Sequence, residues 1–278
     1  MNKDEMKKAL EKLIEEGMPV NDGDYIGEDG LLYCGKCNTR KQTRLELGDG
    51  KVIEPFCMCK CEELKYEEEE ANKKKKERMN RIQRYKHEGF IDSSLSECTF
   101  EKDDSPTSKE SIACRRYVKS FDKFYQSGKG LMLWGNVGTG KTFLASCVAN
   151  ALIDDMHPCL VTNFPRLINT LSGMYEGKQE YIDSLNRYDL LVIDDLATER
   201  DTEYVNEIVY NIIDSRYRSG KPLIVTTNLS PDALREETNI NRQRIYSRIN
   251  GMCFAVRVDG KDRRRAKPDG ELLKLLFE

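Results

Sequence analysis

The stretch from Gly130 to Thr142, GLMLWGNVGTGKT, constrains the fold of this chain more than any other part. Its apolar start, Leu131–Trp134, predicts a buried strand, and the following loop fits the phosphate-loop pattern G-x-x-x-x-G-K-[ST]. The residues after the loop, from Phe143 to Ala149, carry apolar side chains at helical spacing. Strand, glycine-rich loop and helix, in this order, are the context in which the pattern binds a nucleotide.

The chemistry of such a loop predicts the roles of its residues. Successive backbone N–H groups point at phosphate oxygens, and the N-terminus of the helix adds partial positive charge. We expect Lys141 to reach the β- and γ-phosphates and the Thr142 hydroxyl to ligate Mg²⁺. The predicted ATP-binding residues are Asn136, Val137, Gly138, Thr139, Gly140, Lys141, Thr142, Phe143 and Asp194.

An acidic pair follows a second apolar run downstream of the loop. Four aliphatic residues, Leu190–Ile193, precede Asp194 and Asp195, which predicts a strand buried on both faces with its acids at the carboxyl end. Asp194 is expected to hold Mg²⁺, mostly through water, and Asp195 to orient or deprotonate the attacking water. A further strand ends at Asn228, which either lies beside the γ-phosphate or is a turn residue.

Five of the ten cysteines crowd one short stretch near the N-terminus. Cys34 and Cys37 form a C-x-x-C knuckle, the alternating segment 43–53 predicts a hairpin, and a C-x-C-x-C run follows. Four thiolates around zinc stabilise a unit too small for its own core, and such a site leaves no open position for catalysis. We favour Cys34, Cys37, Cys59 and Cys61 as the zinc ligands, with Cys57 as the alternative for the second pair. A reduced cysteine-rich loop and an iron–sulfur cluster are the competing interpretations.

The whole chain is predicted to be an α/β protein, with a small zinc-ribbon-like domain before a parallel sheet between helices. We expect an N-terminal helix and zinc module over residues 1–61, a charged linker helix over 62–90 and the phosphate-loop domain over 91–278. Helices are predicted from Ser111 to Ser127 and from Pro165 to Tyr175. No signal peptide or membrane-spanning run is evident, which predicts a cytoplasmic protein with no membrane partner. The net charge of −3 means that any contact with DNA must be local.

These motifs together resemble those of a known family. The strings GLMLWGNVGTGKTFLASCVAN, LLVIDDLATER, KPLIVTTNLS and RIYSRI, in this order, are similar to those of DnaC/DnaI-type replicative helicase loaders of the AAA+ superfamily. The likeness extends over about residues 90–265, and the related IstB transposition ATPases share it. It implies an AAA+ fold for this domain. The cysteine unit resembles the N-terminal zinc module of many such loaders, especially those of phages.

The resemblance also implies roles for single residues. The phosphate loop would be Walker A, Asp194 and Asp195 Walker B, and Asn228 sensor 1. Arg248 would be the arginine finger that reaches the ATP of a neighbouring subunit, with Arg244 as the competitor, and one of residues 263–265 would take a sensor-2-like position. Many AAA+ proteins have Asp-Glu at Walker B, and the shorter second acid here bears on the rate of hydrolysis but not on nucleotide binding. The resemblance implies an ATPase that is weak and stimulated by DNA.

The resemblance further implies partners. The zinc module would bind a ring-shaped DnaB-type hexameric helicase, and the ATPase domains would assemble with ATP around single-stranded DNA. Arg166 and Phe164 are candidate DNA contacts, although Phe164 equally suits the core. Two alternatives stay open: an IstB-like regulator of transposition that coats duplex DNA, and an ATP-binding adaptor with negligible hydrolysis. The zinc module favours the loader, because it suggests an end dedicated to binding a protein.

Overall fold

The computed structural model describes Gly17 and residues 19–48, 50–196 and 202–263. The chain divides into two compact units, Met1–Met79 and Asn80–Glu278, and each is described by itself. The three-part division predicted from the sequence stays a prediction. Apolar residues at helical spacing also predict a helix over Met6–Ile14 and a short helix over Glu271–Phe277, and both segments lie outside the described residues. Within those residues, no helix is both long and apolar enough to cross a bilayer.

The first unit contains two small antiparallel hairpins. Strand β1 (Tyr25–Ile26) pairs with β2 (Leu32–Tyr33), and β3 (Leu45–Glu46) pairs with β4 (Val52–Ile53). The second hairpin is the one predicted from the alternating segment. Helix α1 (Lys60–Gly89) starts in this unit and takes the place of the predicted charged helix.

A buried ion pair organises the first unit. The ammonium of Lys41, which is fully buried, lies 2.8 Å from the Asp24 carboxylate and 3.2 Å from Glu62 in the first turn of α1. Asp24 also accepts a hydrogen bond from the Gly35 N–H, inside the cysteine knuckle, at 3.0 Å. Buried charges are tolerated only where they are paired and hydrogen-bonded, and these contacts join the knuckle to the start of the helix.

The second unit is built on a five-stranded parallel sheet, which confirms the predicted α/β class. Its strands are β5 (Gly130–Trp134), β6 (Cys159–Asn163), β7 (Leu190–Leu196), β8 (Leu223–Thr227) and β9 (Cys253–Arg257). Their order across the sheet is β6-β7-β8-β5-β9, and every neighbouring pair is parallel. The central strands are near-continuous apolar runs because helices cover both faces of such a sheet.

Eight helices of the described residues follow α1 in the second unit. They are α2 (Lys109–Lys119), α3 (Phe121–Ser127), α4 (Lys141–Asp154), α5 (Phe164–Ser172), α6 (Lys178–Ser184), α7 (Glu203–Ser219), α8 (Pro231–Arg235) and α9 (Ile240–Met252). Two apolar clusters form the core. One holds α2 and α4, and the other holds α5, α7 and α9.

The prediction of one helix from Ser111 to Ser127 was wrong. Ser120 has φ −115° and ψ 22°, outside the helical region, so the segment is two helices, α2 and α3. Tyr117 and Phe121 flank this break, and both are buried with their rings edge to face, 5.8 Å between centroids. The predicted helix from Pro165 to Tyr175 is shorter than expected, because α5 ends before Gly173.

A buried arginine closes the sheet at the end opposite the acids. The Arg216 side chain, on α7, donates to the carbonyl oxygens of Tyr188, Asp189 and Pro222 at 2.9–3.0 Å, just before β7 and β8 begin. Burial lowers the pKa of Arg216 to about 10, so the guanidinium stays charged at neutral pH. One side chain therefore satisfies backbone groups from two strand starts and binds them to α7.

We predict that Arg216→Met lowers the free energy of unfolding by about 3 kcal/mol, because the substitution leaves buried carbonyls without their donor. Urea unfolding followed by the fluorescence of Trp134, which is the only tryptophan and lies in β5, checks this. Arg218→Met is the matched control, since the Arg218 side chain is 76% exposed and its loss should cost less than roughly 1 kcal/mol. Equal losses in the two variants would contradict the role of Arg216.

Candidate nucleotide site and cysteine cluster

The loop between β5 and α4 depends on glycines at two positions. Gly138 has φ +79° and Gly140 has φ +96°, a region that side chains other than glycine rarely adopt. A Cβ on Gly138 would also collide with the carboxylate of Asp262. Gly140 is the N-cap of α4, so the loop delivers Lys141 and Thr142 as the first two residues of the helix.

Lys141 is held inside this loop. Its ammonium donates to the carbonyl oxygens of Gly135 at 2.9 Å and Asn136 at 2.8 Å, and to Asn228 Oδ1 at 2.8 Å. Thr139, predicted to bind the nucleotide, is buried, and its hydroxyl donates to the Asn136 carbonyl at 2.9 Å. The structure thus brings the end of β8 to the lysine of the phosphate loop.

Asp194 lies at the end of β7 beside the same loop. The hydroxyls of Thr142 and Thr226 donate to its carboxylate at 2.8 and 2.6 Å. Burial raises the pKa of Asp194, and the neighbouring charge of Asp195 raises it further. The hydrogen bonds from the two hydroxyls and the charge of Lys141 lower this pKa but do not cancel the rise. The Thr142 hydroxyl and the Asp194 carboxylate are the kind of oxygen ligands that Mg²⁺ prefers, so this pair fits that ion.

Asp195 leaves the regular strand pairing. Its φ is +57°, and the register of β7 against β8 shifts between Ile193 and Leu196. The backbone N–H of Asp195 donates to the Thr226 hydroxyl at 2.9 Å, which secures this bulge. Sequence analysis missed Thr226, and the available signal was a hydroxyl residue at the carboxyl end of β8, directly after its aliphatic start.

A cavity of about 500 Å³ lies over the loop. Of the predicted nucleotide and catalytic residues it is lined by Val137, Gly138, Gly140, Lys141, Thr142, Phe143, Asp195 and Asn228. Residues that the motifs did not indicate also line it, namely Leu95, Cys98, Lys102 and Asp104. Arg263 lines the cavity as well and pairs with Asp104 at 2.7 Å, whereas residues 264 and 265 lie outside the described part of the chain.

The two candidate arginine fingers lie on α9 and do not line this cavity. Arg248 donates to Asp214 at 2.7 Å and to the Tyr210 hydroxyl at 2.8 Å. The Arg244 guanidinium lies over the Tyr210 ring, 4.9 Å from its centroid. The candidate DNA contact Phe164 is fully buried in the core, so that prediction was wrong: its ring packs beneath α5.

Arg166 lies at the edge of the sheet beside the residues predicted to hold magnesium. It lines a second cavity, which Asn163, Thr142 and Asp194 also line. The backbone N–H of Arg166 donates to the Asn163 side chain at 3.0 Å, which caps the start of α5. Its role in binding DNA stays a prediction.

Four cysteines of the first unit meet in one cluster. The Sγ atoms of Cys34, Cys37, Cys59 and Cys61 all lie within 4.8 Å of one another. Cys57 is not among them, because its thiol faces the Arg40 carbonyl at 3.8 Å. The cluster therefore contains the favoured pair Cys59 and Cys61, and their role as zinc ligands stays a prediction. Four convergent thiols fit tetrahedral zinc, which in such a site is structural.

Two thiols of the cluster have opposite electrostatic environments. A hydrogen bond from the Thr39 hydroxyl, 3.1 Å away, lowers the pKa of Cys37 to about 5, whereas burial raises the pKa of Cys59. Metal ligation by cysteine requires the thiolate, and a cation at the centre would favour it in all four.

The five-stranded sheet, the phosphate loop and the acidic strand end define the nucleotide-binding fold of an AAA+ domain. Residues 111–253, just over half of the chain, match the model of the bacterial DnaA ATPase domain family, and the chain belongs to this family. The chain is also 26% identical to the replicative helicase loader DnaI of Bacillus subtilis over 190 residues, which are 63% of this chain and 61% of DnaI. It is 25% identical to the replicative helicase loader DnaC of Escherichia coli over 162 residues, 53% of this chain and 64% of DnaC.

The fold is similar to that of solved structures. A crystal structure of DnaI matches with a TM-score of 0.54 and 23% identity, covering 65% of this chain and all of that chain. The chain spans about three fifths of the length of the curated relatives it matches. These matches confirm the resemblance to DnaI and DnaC and the AAA+ fold.

We predict that the protein carries about one zinc ion per chain and that Cys59→Ser loses it, because three thiolates hold zinc far more weakly than four. Metal analysis of the purified protein measures this. Cys57→Ser is the matched control, since Cys57 lies outside the cluster, and it should keep its zinc. The prediction fails if both variants lose zinc alike, or if the protein shows the visible absorbance of an iron–sulfur cluster.

A second prediction follows from the raised pKa of Asp194. A raised pKa means that the charged carboxylate destabilises the folded protein above that pKa, and that the effect disappears as pH falls towards the ordinary value of 3.8. Asp194→Asn should therefore melt at a higher temperature than the parent in EDTA at neutral pH, with a difference that shrinks on acidification. Magnesium with ATP should raise the melting temperature of the parent but not that of Asp194→Asn.

Melting temperatures measured across pH, with and without magnesium and ATP, check both parts. A variant less stable than the parent at neutral pH would show that Asp194 stabilises the empty site.

Proposed function

We propose that this chain is an ATP-dependent replicative helicase loader, which binds the helicase through its N-terminal unit and single-stranded DNA through its AAA+ unit. The observation that carries this proposal is the similarity to two named replicative helicase loaders over 190 and 162 residues. The geometry supports it, because Lys141, Thr142, Asp194 and Asn228 meet through hydrogen bonds of about 2.8 Å.

In this proposal the nucleotide is ATP with Mg²⁺. Lys141 binds the terminal phosphates, and Thr142 and Asp194 hold the ion, which neutralises phosphate charge. Asp195 lines the cavity with Asn228 and orients or deprotonates the attacking water. Its short side chain limits the rate, so we propose slow hydrolysis that DNA stimulates and that releases the loader.

The cysteine unit is proposed to be the part that binds the helicase, which we infer to be a DnaB-type hexamer. The four-thiol cluster and the buried Lys41–Asp24 pair support this by giving the unit a defined shape with little apolar core. Exposed apolar side chains on its second hairpin, among them Leu45 and Val52, supply contact area for a partner.

We predict that the full chain captures the replicative helicase of its source cell and that Cys59→Ser weakens this capture at least about 10-fold, because the unit loses its metal. Cys57→Ser should bind like the parent. Titration of tagged loader against purified helicase, monitored by pull-down, measures both. Equal capture by Cys59→Ser and the parent would move the helicase contact away from the cysteine unit.

Self-assembly in the ATP state is proposed to use an arginine in trans. Arg248 is the first candidate, and its contacts to Asp214 and Tyr210 hold its guanidinium at the surface of α9, with 23% of the side chain exposed. Arg244 is the second, and its guanidinium stacks on the same tyrosine ring. Neither side chain lines the cavity of its own chain, and this supports a role in trans.

We predict that Arg248→Ala lowers DNA-stimulated ATP turnover roughly 100-fold or more, because an arginine finger stabilises charge in the transition state. Mixing this variant with Lys141→Ala should restore turnover, since each subunit supplies what the other lacks. The same pair of assays with Arg244→Ala distinguishes the two candidates. If neither variant both loses turnover by itself and regains it on mixing, a finger in trans at these two positions is contradicted.

A further inference from the structure

One wall of the nucleotide cavity lies outside every motif of the phosphate site. Residues Ser93–Glu97 form a 3-10 turn, and Leu95 and Cys98, within and just after it, line the cavity together with Lys141. Both side chains also pack against the same apolar cluster as Phe143 of α4. The position of this turn therefore shapes the part of the cavity that the loop does not.

The turn is held to α4 by one side chain, Asn150. Its Nδ2 donates to the carbonyl oxygens of Cys98 at 2.8 Å and Leu95 at 3.1 Å, and it lies 3.2 Å from that of Ser146. Three carbonyls around one end of the amide determine its orientation, because Oδ1 in that place would face only acceptors. Asn150 is 1% exposed, so water does not compete for these bonds.

Asn150 lowers the stability of the folded protein relative to an aliphatic residue at the same position. Within the described residues, Asn150 Oδ1 is buried without a hydrogen-bond partner, and a buried polar atom left in this way costs stability. An aliphatic residue, as at Leu152 and Ile153 nearby, would fill the core without that loss. What the amide adds is the fixed position of two backbone carbonyls in the turn that walls the cavity.

The lining of the cavity divides by chemistry. The loop backbone, Lys141 and Asn228 suit phosphates, and Lys102, Asp104, Asp195 and Arg263 add charge. The apolar surface comes from the side chains of Leu95, Cys98, Val137 and Phe143. Ligand sites hold planar rings with apolar side chains of this kind. The heteroaromatic base of a nucleotide is the part of a nucleoside triphosphate that fits such a surface.

We propose that Asn150 is a positioning residue for nucleotide recognition: it holds the turn at Ser93–Glu97 so that Leu95 and Cys98 form the wall against which the base packs. The inference rests on the proposed function in one respect, since it requires a nucleoside triphosphate in this cavity. Asn150 acts through the turn, and its hydrogen bonds do not involve the residues proposed to bind phosphate or magnesium. Its loss should therefore weaken binding of the base and leave binding of the phosphates unchanged.

The first experiment compares ATP with inorganic tripolyphosphate, both with Mg²⁺, by calorimetry on the full chain. Asn150→Ala should weaken ATP binding about 10-fold, as expected for the loss of two buried hydrogen bonds that order the wall, and change tripolyphosphate binding less than about 2-fold. Ser146→Ala is the matched control. Its hydroxyl is equally buried one turn earlier on α4, has no hydrogen-bond partner within the described residues, and should leave both affinities unchanged.

The outcomes separate this inference from the proposed function. Equal weakening of ATP and tripolyphosphate by Asn150→Ala would show a general structural role and overturn the inference, as would unchanged ATP binding. A parent chain that binds neither ligand would instead overturn the proposed function.

The second experiment uses only the parent chain, so its result does not depend on whether a variant folds. Iodoacetamide labelling of the parent chain at about pH 8.5, with Cys98 quantified by peptide mass spectrometry, reports access to the wall. Burial raises the pKa of Cys98, which makes its labelling slow enough to follow. ATP should protect Cys98 at least about 5-fold and tripolyphosphate should not. Equal protection by the two ligands, or none by ATP, would overturn the inference.

Discussion

The hydrogen bond between the Thr142 hydroxyl and the Asp194 carboxylate joins residues 52 positions apart, and the arrangement of the site depends on it. This hydrogen bond forms because β8 lies between β5 and β7, so that the carboxyl ends of all three strands meet at one edge of the sheet. Thr226, from the middle strand, supplies the second hydroxyl. Burial of this acid raises its pKa although both hydroxyls oppose the rise, and a cation at this place would remove the cost of burying the charge.

The same physical logic recurs in the first unit with other groups. Its apolar core is small, with Ile26, Leu31 and Leu32 among its buried residues. Thiols and a buried lysine occupy the positions that a larger domain would fill with aliphatic side chains. Convergent cysteines and a paired buried charge each specify one geometry, because neither group tolerates a poorly matched neighbour in a dry interior.

Two arginines show how position decides the use of the same side chain. Arg216 is 1% exposed and its donors are directed to backbone carbonyls at the strand starts, where its contribution is stability. Arg248 lies on α9 with 23% of its side chain exposed, and its guanidinium is held by Asp214 and Tyr210. A charge oriented at the surface is suited to a partner, whereas a charge enclosed by carbonyls is not available to one.

The sequence by itself determined the parallel α/β fold, the phosphate loop and the acidic strand end, because these depend on local patterns: apolar runs, glycines at a fixed spacing and acids after a strand. The sequence did not predict which side chains from distant segments make contact. Only the tertiary structure excluded Cys57 from the thiol cluster, buried Phe164, broke the helix at Ser120 and brought Thr226 and Asn150 to their partners. Side-chain direction and strand order decide such contacts, and both arise only when the whole sheet is packed.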